Sequence, residues 1–212
     1  MGSIFRKLIT FCLQSMQRQL LIIVILFSFS AGLSYAQPSY VDWLDGYVSI
    51  DGLPRSLGVN LKFQPPKGWT EQQARRPHIV KMYSSKNSAK LSLLVTDNVT
   101  FFSRKEFLDM YDVMSGSVLD MIKEDYPNSS PELLSKKILT VDKYPFFTYK
   151  VSLTMSGYGD SLRMTCKYYY TFYEDKVITI TGMFTSANWN DSLESLFDAS
   201  VCSLVFTDQY KK

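Results

Sequence analysis

The chain predicts an α+β fold built on antiparallel strands, and three observations carry that prediction. Between Leu162 and Tyr173, Leu162, Met164, Cys166, Tyr168, Tyr170 and Phe172 share one face of a long strand, and Arg163, Thr165, Lys167, Tyr169, Thr171 and Tyr173 share the other. Phe107, Met110, Tyr111, Met114, Val118, Met121 and Ile122 recur at helical spacing as one apolar stripe. Fourteen Tyr and fourteen Phe weight the composition toward pleated, half-buried surface.

The elements follow in order. After an aromatic lead, "SYVDWLDGY", strands are expected over Tyr47 to Ile50 and Val59 to Phe63, divided by the turn-rich "DGLPRSLG". Pro65 and Pro66 stop the second strand, because proline cannot donate to the ladder. Trp69 then folds back as a lid over one end of the core. Ile79 to Tyr83 and Leu91 to Thr96 read as a hairpin around "SSKNSAK". Ser103 opens the clearest helix, with Glu106 three residues on as a capping box, and that helix is expected to end near Tyr126-Pro127.

Beyond a "SSPELL" turn, four strands are expected over Lys136 to Val141, Phe146 to Met155, Leu162 to Tyr173 and Val177 to Phe184. Their separators are hairpin-length, so they predict an antiparallel meander. The two faces of the longest strand are expected to divide core from solvent. A second helix, Trp189 to Ala199, opens at Asn188 or Asn190 and buries Trp189, Leu193, Leu196 and Phe197. A last strand, Val201 to Phe206, is expected to place Cys202, Leu204 and Phe206 on one face.

Residues 1–36 read as a cleavable signal peptide, whose working part is 16–36: a basic start, an apolar run from Leu20 to Phe29, then Ser34 and Ala36 before the cut. The run is short of the roughly 20 residues that a membrane span needs, so no integral span is expected after cleavage, with a retained signal anchor as the alternative. The remainder, 37–212, suits one domain with a full hydrophobic core. The leader holds Arg6, Lys7 and Arg18 and no acid, and its loss takes three of 23 basic residues and leaves 20 of each sign. A neutral mature chain gives no support to nucleic-acid or anionic-membrane partners. The expected location is secreted or periplasmic.

Cys166 and Cys202 survive cleavage, and an oxidising compartment permits a disulfide between them, with two separate buried thiols as the alternative. His78 is the one histidine of the chain. A dyad of His78 with either cysteine is the sharpest catalytic arrangement available, but both thiols fall in strand interiors with no helix N-terminus to activate them. One histidine and two separated cysteines make no closed metal-ligand set, and neither a metal nor a cofactor is expected. No Gly-rich phosphate loop, GxSxG elbow or HExxH occurs. The candidate binding residues are therefore aromatic and cationic: Trp43 and Tyr47 in the lead, and Trp69 with Arg75, Arg76 and His78 in the loop that follows "PPKGW". Tyr169 and Tyr173 are further candidates for stacking on an outer strand face. Asn98, Asn128 and Asn190 lie in N-x-S/T sequons, which matter in a glycosylating host.

The succession of strands, "PPKGW", a hairpin, a helix behind "SRKEF", a meander and a short helix leading into "SVCSLVF" resembles the PsbP-like and DcrB-like superfamily over about Tyr47 to Phe206. The turn "VDKYP" carries Asp142-Lys143 where the resemblance implies a glycine. The implied fold is a PsbP/DcrB-like α/β sandwich of the α+β class, a curved antiparallel sheet flanked by helices. The implied function is an exported, non-enzymatic accessory domain that binds another protein of the envelope or secretion. The alternatives are a small envelope enzyme with catalytic residues scattered over loops, or an apolar small-ligand carrier with a cavity beneath the methionine-rich helix.

Overall fold

The computed structural model describes residues 40–74, 76–97, 103–157 and 160–210, and the side chains within them from Asp42 onward except at positions 125, 156, 157 and 160. The signal-peptide region 1–36, Arg75 and the Asn98 sequon lie outside the described residues. Residues from Tyr40 onward cluster as one compact unit.

Ten strands among the described residues form two antiparallel sheets. The smaller is β1 (Val48–Ser49), β2 (Leu61–Phe63) and β10 (Val205–Phe206), with β2 central. The larger contains β3 (Thr70–Glu71), β4 (Ile79–Ser84), β5 (Lys90–Asp97), β6 (Ser129–Val141), β7 (Tyr144–Gly157), β8 (Asp160–Tyr173) and β9 (Lys176–Thr185). Its order is β3-β4-β5-β9-β8-β7-β6, so the expected meander is present and the hairpin of β4 and β5 joins it through β9. The α+β class and its antiparallel pairing are as the sequence predicts.

Both faces of the large sheet are covered. On one, α1 (Arg104–Asp109) and α2 (Tyr111–Asp125) bring Phe107, Val118 and Ile122 onto Phe147, Tyr149, Val151, Cys166, Tyr168 and Tyr170. On the other, α3 (Asp191–Cys202) and the small sheet bring Phe197, Val201, Leu61, Phe63 and Phe206 onto Phe146, Tyr169, Tyr173, Ile178 and Ile180. The expectation that one face of β8 meets solvent is thereby overturned. Tyr169 and Tyr173 are buried, and so is Lys167, because α3 and the small sheet return over the strand that sequence alternation assigned to water.

Other boundaries move for local reasons. Ser103 caps its helix as expected, accepting the Glu106 N–H at 3.2 Å, but the predicted single helix breaks at Met110 into α1 and α2. The "SSPELL" turn is the first half of β6, and its Pro131 is tolerated because β6 is an edge strand whose outer N–H positions need no partner. The last strand shrinks to β10, since Asn190 caps α3 through the Leu193 N–H at 2.9 Å and the helix runs on through Val201 and Cys202. The two-residue β3 has no counterpart among the predicted strands.

That extension of α3 decides the cysteines. Cys166 and Cys202 are free: Cys166 is buried on the α2 side of β8, whereas Cys202 sits exposed on the helix covering the opposite side. The possible bridge would have to cross the sheet.

Two backbone features explain conspicuous sequence choices. Asp142 and Lys143 both take positive φ, 45° and 72°, as a type I′ hairpin turn requires. Asp142 stands where a glycine was implied because its carboxylate accepts the Phe206 N–H at 2.7 Å and also binds Gln209 and Tyr210, clasping the end of the chain to the turn. At Gly182 a Cβ would lie 2.6 Å from the Phe197 ring, so that glycine lets α3 lie directly on β9.

Candidate functional site

The lead and the "PPKGW" turn, separate in sequence, are one structure. Leu44 bridges to Pro66, the Asp45 N–H donates to the Pro65 carbonyl at 2.9 Å, and the Lys67 N–H donates to the Trp43 carbonyl at 2.8 Å. The prolines stop β2 from widening its sheet, yet the Pro65 carbonyl and the Lys67 N–H beside them still hold the lead. Trp69 N–H closes the turn onto the Pro66 carbonyl, and Gly68 supplies the positive φ, 72°, that a type II turn needs at its third residue. Asp45 fixes that glycine by accepting its N–H at 3.1 Å.

Between this knot and the start of α3 lies an open groove of about 470 Å³, lined by Asp42, Trp43, Lys67, Ser192, Leu193 and Leu196. Its indole and two leucines form an apolar floor, and Lys67, Ser192 and Asp42 supply a polar rim. A small enclosed cavity of about 10 Å³ lies deeper, among Phe63, Tyr83, Leu91, Leu93, Ile180, Ser200 and Val201. It has room for roughly one water molecule.

Of the residues singled out from sequence, Trp43 lines the groove. Trp69 is half-buried beside it with its ring turned inward, edge-on to Phe197 at 5.9 Å, which is the lid position expected of it. Tyr47 is exposed elsewhere, with the Lys62 ammonium 5.1 Å over its ring. Arg76 faces the Tyr126 ring at 5.9 Å, and His78 is exposed at the start of β4 with its carbonyl accepting the Val95 N–H. Those two do not join the groove. Lys67, Ser192 and Leu196 were missed as site residues; Leu196 in particular was assigned to the core and is half-buried at the surface.

A second constellation is only faintly signalled in the sequence pattern. Lys150 and Lys167 stand directly opposite one another on β7 and β8, an arrangement that like charges disfavour. Glu194 of α3 resolves it by taking Lys167 on one carboxylate oxygen and Lys150 on the other, both at 2.7 Å. Asp198, one turn along the same helix, takes Lys167 at 2.8 Å, the Tyr169 hydroxyl at 2.6 Å and Lys137 at 3.1 Å. Trp189 donates its indole N–H to Glu194 at 3.2 Å. Lys167 is only 1% exposed, so these charges lie in the α3-to-sheet interface.

Burial opposes ionisation of Glu194, but the hydrogen bonds from Lys150 and Lys167 outweigh it and push its carboxyl down to about 2. Burial first, and then the Asp198 carboxylate, push the Tyr169 hydroxyl well up. Both groups are thus held in one protonation state across the ordinary pH range, the opposite of what a general acid or base requires. The cluster positions α3, and α3 forms one wall of the groove. Burial also raises the Cys166 thiol to about 11, which makes it inert. Among the described residues no three of His, Cys, Asp and Glu converge as a metal-binding group, and no helix is long and apolar enough to cross a membrane.

No protein-family model and no curated protein matches this chain. Among solved structures it is similar to the cyanobacterial PsbP protein CyanoP of Synechocystis sp. PCC 6803, with a TM-score of 0.55 and 14% identity over 76% of this chain and 92% of that one. A weaker likeness is to LpqN of Mycobacterium tuberculosis, with a TM-score of 0.45 and 10% identity over 76% of this chain and 90% of that one. The CyanoP likeness covers nearly the whole of that protein and identifies the fold as PsbP-like.

Proposed function

Proceeding from a PsbP-like fold, we propose that this protein is an exported accessory domain that docks another protein of the envelope or secretion in the groove between Trp43, Lys67 and α3. The observation that carries this reading is the construction of the groove. Two segments with little secondary structure of their own are tied together by backbone bonds, and an indole and two leucines are left at the surface beside an ammonium. Aromatic and aliphatic anchors inside a polar rim are what a docking partner engages.

The edges of the large sheet support a face over an edge as the contact. On β6, Pro131, a bulge between Leu133 and Ser135, and Lys136 and Lys137 blunt strand addition. On β4, the short β3 pairs with Tyr83 and Ser84, while Arg55 donates to the carbonyls of Ile79 and Ala74. The basic start, apolar run and small-residue cut of the leader support export.

The test is a photoreactive side chain at Ser192 or Leu196, with Val113 on exposed α2 as the control position, followed by mass spectrometry of adducts formed in the native envelope or secretion. A protein captured from the groove positions alone, and lost when Trp43→Ala and Lys67→Glu are combined, supports docking. Capture that is equal at Val113, or that survives the double substitution, overturns it. The groove volume also lies in the range of small-molecule sites, roughly 300 to 1,000 Å³. Adducts to a small molecule in place of a protein would move the reading to a carrier.

A further inference from the structure

We draw no further inference here: the strongest candidate, the methionine-rich part of the large sheet beside α2 where Met155, Met164 and Met183 are only partly covered, is an apolar face for which nothing in the structure shows what covers it.

Discussion

The two faces of the large sheet solve the same burial problem with different materials. On the α3 side, charges, indoles and one glycine meet in contacts that admit a single arrangement: Glu194 and Asp198 each bridge two lysines, and Phe197 presses on Gly182 between Trp69 and Trp189. On the α1 and α2 side the cover is Phe107, Val118 and Ile122 over a bed of tyrosines, with Met114, Met155, Met164 and Met183 at the margins. Methionine has flexible torsions and no directional demand, so this face fits by adjustment. The helix above it is intrinsically weak, with Gly116 between Ser115 and Ser117 at its centre. Directional bonds specify where a helix sits, and area alone specifies only that it is buried.

The comparison is broken most severely at Lys167. The substitution Lys167→Met leaves Glu194 and Asp198 facing the sheet with only peripheral lysines, and a loss of about 3 kcal/mol is expected, at the low end for breaking a buried pair. Urea denaturation measures it; a loss below about 1 kcal/mol would show that the cluster does not hold α3.

Acid sharpens the same point. The folded carboxyl of Glu194 lies near 2, below its ordinary value of 4.5, so its ionised form stabilises the fold fully above about pH 4.5. That contribution fades as pH falls toward 2. The urea midpoint of the wild type should therefore drop more steeply between pH 4.5 and 2 than that of Glu194→Gln, and parallel curves would dissociate Glu194 from the acid response.

The methionine face should be more forgiving. Met164→Leu keeps volume and asks for no polar partner, so a change under about 1.5 kcal/mol is expected in the same measurement. The smallest effect has the opposite sign. Gly116 is exposed in α2, and a methyl added there would meet nothing within 4 Å. Gly116→Ala should therefore stabilise by about 0.5 to 1 kcal/mol, read as a rise in thermal midpoint. A loss there would mean that the glycine serves a conformation other than a plain helix.

How legible each region was follows from the range of the forces involved. The Ser103 and Asn190 caps and the strands of the meander depend on neighbours within a few residues, so their residue types announce them. The groove depends on backbone bonds from Trp43 and Asp45 to residues some twenty positions away, and nothing in "PPKGW" announces that the lead will lie against it. A faint signal for the lysine cluster did exist: Glu194 and Asp198 are spaced i, i+4 on an amphipathic helix, and Lys167 interrupts a strand face otherwise rich in Thr and Tyr.

By itself the sequence determined the α+β class, the antiparallel meander and the capped start of the first helix, because alternation and caps act locally. The tertiary structure alone decided that the polar face of β8 is an interior, that α3 carries Cys202 away from Cys166, and that Trp43, Lys67 and Leu196 line one groove. Alternation states that a strand has two faces; only the return of distant chain determines which of them meets water.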